Sequence, residues 1–203
     1  MEKSIAKWIS MFFHPLLIPT YFVLLLFNID LFLFEIMSLK GKLLLLSLVF
    51  SVSYIMPVLF VFFYIRMGWV KSFYMEGKQE RLLPIITVGT FIYATSLLLE
   101  ELSLSLLIRY FLMNMTMLSL LVLLITNYWK ISLHTVGIGS LLGFLIGMSI
   151  NYKINILPIL YPLILVAGMV GFARLKLKAH NAMQVYAGYI IGFVAMFGIF
   201  MMV

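Results

Sequence analysis

Three short polar clusters interrupt a chain that is otherwise apolar. They are GKQERLLP from Gly77 to Pro84, ISLH from Ile131 to His134, and ARLKLKAHNAMQ from Ala173 to Gln184. Guanidinium and ammonium groups bind anions, a hydroxyl group can donate a hydrogen bond, and an imidazole can act as a nucleophile or transfer a proton. These residue types together favour a site that receives an anion.

The third cluster has the most informative spacing. Five residues separate Arg174 from His180, and Gln184 follows His180 after three more. On a helix Gln184 lies one turn beyond His180, so its side chain is expected to reach the imidazole. An amide oxygen can accept the ring N–H and hold one tautomer, but it has no charge with which to stabilise an imidazolium.

Composition places this chemistry in a membrane. The chain has 203 residues, of which 65% are hydrophobic, with 14 basic and 7 acidic side chains. A water-soluble surface cannot be built from this composition, so we predict an integral membrane protein. Its net charge of +7 suits loops that lie on anionic lipid or a pocket that receives an anion. The sequence contains no soluble basic domain, so nucleic acid is not expected as a partner.

Cysteine is absent from the sequence, which excludes disulfides, thiolate metal sites and a cysteine nucleophile. No cofactor and no metal is predicted. The first apolar run is long and other apolar runs follow it directly, so we interpret it as retained and not as a cleaved signal peptide.

Apolar runs predict an all-α, polytopic membrane helix bundle, because about 20 apolar residues cross a bilayer as a helix. Pro15 and Pro19 interrupt the first run, so the expected number of helices is six or seven. A single transmembrane domain is expected to fill residues 1–203. The predicted segments lie near 13–34, 43–65, 83–99, 106–127, 132–150, 155–173 and 182–202.

If seven helices cross in turn, all three clusters fall on the side that holds the N-terminus, here called the near side. Ten of the 14 basic residues fall on this side, as do His14, His134 and His180. Basic residues at helix ends are commonly interfacial anchors, and a single histidine there is often only a solvated polar residue with no role in a site. The gathering of all three histidines favours a shared site. The anchor explanation is preferred for Lys3, Lys7, Arg66, Lys71, Lys130, Lys176 and Lys178.

Glycine recurs at every fourth position on the two predicted helices that follow His134 and His180. Small residues at this spacing let membrane helices approach closely, although glycine is also frequent in membrane helices in general. Because both helices have the pattern, we predict that they pack together and that the two histidines share a pocket. The glycines are Gly139, Gly143, Gly147, Gly188 and Gly192.

In order, spacing and sidedness, the three clusters resemble the signature motifs of the type 2 phosphatidic acid phosphatase family, whose soluble relatives include acid phosphatases and vanadium haloperoxidases. The family pattern is a lysine and an arginine before a proline, then Pro-Ser-Gly-His, then Ser-Arg, five residues, His, three residues and Asp. The resemblance covers about Gly77 to Gly192. It implies a membrane phosphatase that needs no metal and acts on a lipid phosphate or isoprenoid pyrophosphate through a phosphohistidine.

This resemblance also implies residue roles. His180 would be the nucleophile, His134 would protonate the leaving alcohol and then activate water, and Gln184 would orient His180. Ser132 is expected to cap a helix whose first N–H groups receive the phosphate. The phosphate-binding residues would be Arg174, Ser132, Arg81 and Lys78.

Departures from the family pattern keep two functions open. Ala173 and Gln184 stand in place of serine and aspartate, Ile131 and Leu133 in place of proline and glycine, and the basic pair of the first motif is closer together. One function is a lipid phosphatase. The alternative is a family member that binds an anionic lipid headgroup without turnover. A transporter or scaffold is disfavoured, because no charge stands far from a segment end.

Two arguments about the orientation of the protein in the membrane disagree. The excess of basic residues predicts a cytoplasmic near side, whereas the resemblance favours a site outside the cytoplasm. The resemblance also implies the inner (plasma) membrane of a bacterium. The lipid substrate and the oligomeric state are left open.

Overall fold

The structure is a computed structural model that describes residues 1–29, 37–73, 75, 77, 79–101 and 106–201. All regular structure within these ranges is helical, which confirms the predicted all-α, polytopic bundle. In chain order the helices are α1 (Glu2–Phe12), α2 (Ile18–Leu26), α3 (Leu39–Phe50), α4 (Met56–Arg66), α5 (Leu82–Glu101), α6 (Leu106–Tyr128), α7 (Leu133–Tyr152), α8 (Leu157–Lys176) and α9 (Ala182–Met201).

The chain is a multi-pass membrane protein. Over the described ranges, six helical stretches are long and apolar enough to cross a membrane, and a seventh, Ala182–Gly198, is apolar over a shorter length. The six are Glu2–Leu26, Leu39–Arg66, Gln79–Glu101, Leu106–Tyr128, Leu133–Tyr152 and Leu157–Lys176.

Contacts divide the chain into two compact units. Unit 1 contains Met1–Ile18 and Ile131–Val203, and unit 2 contains Pro19–Lys130. Unit 1 therefore joins the start of the chain to its last three helices. The single transmembrane domain expected from the sequence stays a prediction.

Helix α7 lies at the centre of unit 1, packed closely along α9. A Cβ atom on Gly139 would lie 2.5 Å from the backbone oxygen of Tyr189, and one on Gly192 would lie 2.9 Å from the backbone nitrogen of Ser140. Side chains larger than hydrogen do not fit at such distances, so the glycines permit this approach. The predicted packing of the two histidine-bearing helices is confirmed.

The first helical stretch differs from the predicted segment 13–34. It begins at Glu2, breaks at His14 and continues through a 3₁₀ turn, Pro15–Leu17, into α2. The break has a local cause, since proline disfavours helical geometry in the residue before it, and His14 has an extended ψ of 138°. Residues 30–36 of the predicted segment lie outside the described residues.

Helix α1 packs on α8 in unit 1 and has two distinct faces. Ala6 and Ser10 are buried, whereas Ile5, Trp8 and Phe12 are exposed and form an apolar stripe at helical spacing. An amphipathic helix of this kind suits the membrane interface. It follows that Ser10 is directed into the protein while the outer stripe meets lipid.

Unit 2 is built around α5 and α6, which are in extensive contact. Gly89 lets α5 approach Ser119 of α6. The rings of Phe22 and Phe111 stack with centroids 3.8 Å apart, and Tyr64 shares a hydrogen bond of 2.8 Å with Thr87. Between α3 and α4 the chain makes a π-helical turn, Ser51–Ile55, just before Pro57, whose missing N–H disturbs the regular helical ladder.

Candidate functional site

Polar side chains gather in unit 1 where the end of α1, the start of α7, the end of α8 and the start of α9 meet. We call this set the polar cluster. It contains all three histidines of the protein and the guanidinium group of α8. Its members are Ser10, His14, Ser132, His134, Arg174, His180 and Gln184.

His134 lies in the first turn of α7 and is held by the backbone of α1. Its Nε2 lies 3.0 Å from the backbone oxygen of Ser10, which can only accept, so Nε2–H donates. A neutral ring then has its lone pair on Nδ1. His14 packs edge-on against it, with ring centroids 5.4 Å apart, and Nδ1 of His14 accepts from the backbone N–H of Leu16 at 3.3 Å.

Arg174 lies in the last turn of α8, where a cation also complements the helix dipole. Its Nη1 donates to the hydroxyl oxygen of Ser10 at 3.2 Å. Its positive charge acts on both His14 and His134. Ser10 therefore links two groups of the cluster, with its carbonyl on His134 and its hydroxyl on Arg174.

The five-residue gap between Arg174 and His180 is a Schellman motif that ends α8. The N–H of Ala179 donates to the carbonyl of Arg174 at 3.2 Å, and the N–H of Lys178 donates to Leu175 at 2.9 Å. Lys178 occupies the left-handed position with φ of 53°, where glycine is the usual residue. The motif reverses the chain so that His180 directly follows the turn, and its side chain is only 7% exposed.

Gln184 has a contact that the sequence predicted and a second that it did not. Its Oε1 accepts from Nδ1–H of His180 at 3.0 Å, which confirms the expected contact. The same oxygen accepts from the backbone N–H of Asn181 at 3.3 Å, while Oδ1 of Asn181 accepts from the N–H of Gln184 at 2.9 Å. This reciprocal pair is a capping box at the start of α9. Because Nδ1 donates, the lone pair of a neutral His180 is on Nε2.

Ser132 precedes α7 as its N-cap residue, yet the predicted capping bond is not made. Its ψ is 103°, whereas Ser38, with ψ of 152°, caps α3 by accepting from Gly41 at 3.2 Å. Ser132 is fully buried, and its Oγ has no hydrogen-bond partner among the residues that the structure describes. A buried hydroxyl without a partner is unfavourable unless a ligand or water satisfies it.

Gly188 brings α9 against this serine. A Cβ atom on Gly188 would lie 3.0 Å from the backbone oxygen of Ser132, which already accepts from Thr135 and Val136 at 3.0 Å each. Gly188 is one turn beyond Gln184 on α9. Ser132 is therefore next to the first turns of the helix that orients His180. His180 is also close enough to His134 for an electrostatic interaction between the two rings.

Arg81, the second basic residue of the first motif, belongs to unit 2. Arg81 is buried, and its Nε donates to the backbone oxygen of Met75 at 2.9 Å. Lys78 lies outside the described residues. Their predicted role in binding phosphate stays a prediction.

Ser10 is a member of the cluster that the sequence did not predict. Its contacts with His134 and Arg174 cross 124 and 164 residues of chain, and a serine in an amphipathic helix gives no sign of such partners. His14 is one of the three histidines that the sequence assigned to the near side, but its position against His134 was not predicted.

None of the described residues forms a group of three or more histidine, aspartate or glutamate side chains arranged to hold a metal ion. No protein-family profile matches the chain, and no curated protein or solved structure is significantly similar to it. The resemblance to type 2 phosphatidic acid phosphatases therefore stays a prediction.

Proposed function

We propose that the protein is an integral membrane phosphatase that hydrolyses a lipid phosphate or an isoprenoid pyrophosphate, with His180 as nucleophile. One observation carries the proposal: Oε1 of Gln184 accepts from Nδ1–H of His180, which puts the lone pair of the buried ring on Nε2. An oriented imidazole of this kind is suited to attack phosphorus.

In the first step Nε2 of His180 forms a bond to the terminal phosphorus as the bond from that phosphorus to the ester or bridging oxygen breaks. The leaving group is the alcohol of a lipid phosphate or the isoprenyl phosphate of a pyrophosphate. Arg174 holds two phosphate oxygens with its guanidinium fork, and the hydroxyl of Ser132 and the first N–H groups of α7 donate to others. The unpartnered, buried Oγ of Ser132 supports this assignment.

His134 supplies the proton for the leaving alcohol. Its Nε2–H is held by the carbonyl of Ser10, so Nδ1 is the nitrogen that exchanges protons. The doubly protonated ring donates from Nδ1 to the departing oxygen. In the second step Nδ1 takes a proton from water, whose oxygen attacks phosphorus and releases phosphate from His180.

The test is phosphate release by the purified protein in detergent micelles, with phosphatidic acid and an isoprenyl pyrophosphate as substrates. Wild type releases phosphate from at least one of them, and His180→Ala abolishes release. Arg66→Ala, which removes an exposed cation stacked over Phe62, serves as a matched control and retains activity. If the His180→Ala variant has wild-type activity, His180 is not the nucleophile.

A second candidate function is favoured by the chemistry of Gln184. Its amide is neutral and is also part of the capping box of α9, so it gives His180 a hydrogen bond without the charge that stabilises an imidazolium. A protein of this kind would bind an anionic lipid headgroup without turnover. Saturable binding of phosphatidic acid vesicles that Arg174→Ala weakens, together with no phosphate release from either substrate, supports this function over the first.

We also propose the bacterial plasma membrane as the location. The exposed apolar helices support a bilayer as the surroundings. Accessibility of a tag at the C-terminus from either side of the membrane tests the orientation, since seven crossings place that end opposite the polar cluster.

A further inference from the structure

An open groove of about 490 Å³ lies along unit 1, between α8 and α9, with α7 as its floor. Residues 167–175 of α8 and 185–194 of α9 form its walls, and Gly139 and Leu142 form the floor. Its volume is within the range of small-molecule sites. The walls include exposed side chains, among them Phe172 and Ile190, so the groove opens at the side of the helices.

The groove has few groups that could form hydrogen bonds with water. Its walls are apolar except for tyrosine hydroxyl groups, and the hydroxyl of Tyr189 donates to the backbone oxygen of Ala167. Both walls belong to stretches that are apolar enough to lie in a membrane. An apolar groove open to hydrocarbon is filled by hydrocarbon, because water there would lose its hydrogen bonds.

One end of the groove adjoins the polar cluster. Leu175 and Val185, which line that end, directly follow Arg174 and Gln184 in the sequence. From Leu175 to Ala167 the wall of α8 extends about 12 Å at 1.5 Å per residue, close to the half-thickness of a hydrocarbon core of about 30 Å. A phosphate at the cluster would therefore place the chain of its lipid beside the groove, within one leaflet.

We propose that this α8–α9 groove binds a hydrocarbon chain of the lipid whose phosphate lies at the polar cluster. The lipid enters sideways from the leaflet on that side. This inference rests on the proposed function, since it assigns the place of the substrate's chain relative to the same site.

Gly168 permits a direct test. It lines the groove, and no described residue outside its own turn of α8 lies within 4 Å of a Cβ atom placed on it, so Gly168→Phe would add a ring to the groove wall without a clash at Cβ. A Cβ atom on Gly198 likewise meets none of the described parts of neighbouring helices within 4 Å, and Gly198 is not among the groove-lining residues, so Gly198→Phe is the matched control. Gly168→Leu is a smaller insertion at the same place, for use if the phenylalanine variant does not fold.

Turnover is measured with dioleoyl phosphatidic acid, a long-chain isoprenyl phosphate and glycerol 3-phosphate, which has no hydrocarbon chain. Gly168→Phe is expected to raise KM at least tenfold for a long-chain substrate and to leave glycerol 3-phosphate hydrolysis unchanged. The long-chain substrate that responds distinguishes an acyl from an isoprenyl chain. If a folded Gly168→Phe variant has the wild-type KM for both long-chain substrates, the proposal that the groove binds the hydrocarbon chain is wrong.

A second readout does not require turnover. Phosphatidic acid with a photoactivatable group in its acyl chain should label residues 167–175 or 185–194 in wild type, and labelling should fall at least tenfold in Gly168→Phe. Labelling of these stretches without phosphate release supports the groove while the proposed phosphatase fails. If labelling is confined to other helices, the groove does not bind the acyl chain, whether or not phosphate is released.

Discussion

Gln184 binds His180 with the same oxygen that caps α9. Oε1 lies 3.0 Å from Nδ1 of His180 and 3.3 Å from the backbone nitrogen of Asn181. The orientation of the proposed nucleophile is thus tied to the first turn of a helix. A residue here must reach both groups, which a glutamine or a glutamate does in a capping box.

Gln184→Glu is expected to increase phosphate release, because a carboxylate keeps both hydrogen bonds and adds the charge that stabilises a protonated His180. The scale is set by catalytic triads of another fold, where replacing the orienting aspartate by its amide lowers kcat about ten thousandfold. We expect an increase of at least about tenfold in kcat, measured by phosphate release. Asn151→Asp makes the same amide-to-carboxylate change at an exposed position outside the three motifs and should leave kcat unchanged. An unchanged kcat in Gln184→Glu would contradict the role given to this residue.

Arg174→Lys should weaken orthovanadate binding, since an ammonium group keeps the charge but cannot grip two oxygens at once. A loss of about 1–3 kcal/mol, or roughly fivefold to 150-fold in Kd, is expected for a charge-assisted, two-pronged contact. Titration calorimetry of the detergent-solubilised protein gives the value. Arg66→Lys is the control with no expected effect, and an equal loss in both variants would argue against a specific anion site at Arg174.

Lys178→Gly is expected to stabilise the protein, because Lys178 has φ of 53° at the end of α8. Left-handed geometry costs an L-residue about 1–2 kcal/mol, and glycine avoids most of that strain. Lys178→Val should be destabilising for the same reason. The midpoint of thermal unfolding in detergent measures both changes.

Lys176→Gly makes the same replacement two residues earlier, at the last residue of α8, and should have the opposite sign. Lys176 has helical geometry and forms an ion pair with Glu2, so glycine there removes the ion pair and weakens the helix by about 0.5–1 kcal/mol. If both glycine variants shift the unfolding midpoint in the same direction, the Schellman motif is not what determines the response.

Gly192→Ala should destabilise unit 1. The new methyl group would meet the backbone of α7 near Val136 and Ser140, which cannot move aside as a flexible side chain can. Overpacking of this kind costs about 1–3 kcal/mol. In Gly198→Ala, on the same helix, the new Cβ has no described residue of another element within 4 Å, so the change should be neutral or slightly stabilising. Equal unfolding midpoints in the two variants would contradict the importance of this backbone contact.

The sequence predicted the parts of this fold that follow from local pattern. The lengths of the apolar runs predicted the helices. The glycines at every fourth position of α7 and α9 predicted the contact between these two helices; they include Gly139, Gly143, Gly188 and Gly192. The reach of Gln184 to His180 follows from helical geometry alone. Each of these depends on residues that are near in sequence or on a repeat along one helix.

Other features depend on geometry that residue types do not determine. Ser132 has the residue type of a helix cap, but its hydroxyl makes no capping hydrogen bond. Lys178 has the composition of an interfacial anchor, and its left-handed backbone becomes visible only with the turn around it. Ser10 enters the polar cluster through two contacts across most of the chain, which no local pattern reports.

The division of unit 1 between the two ends of the chain has a consequence for biosynthesis. Translation delivers α1 first, whereas the groups that bind Ser10 follow 124 and 164 residues later. Contacts so distant in sequence form late, after a large loss of chain entropy. While the ribosome is still making unit 2, α1 can rest on the membrane surface by its apolar stripe, and the polar cluster is assembled only when α8 has been inserted. A nascent chain stalled before α8 would therefore contain His14 and His134 but no assembled polar cluster.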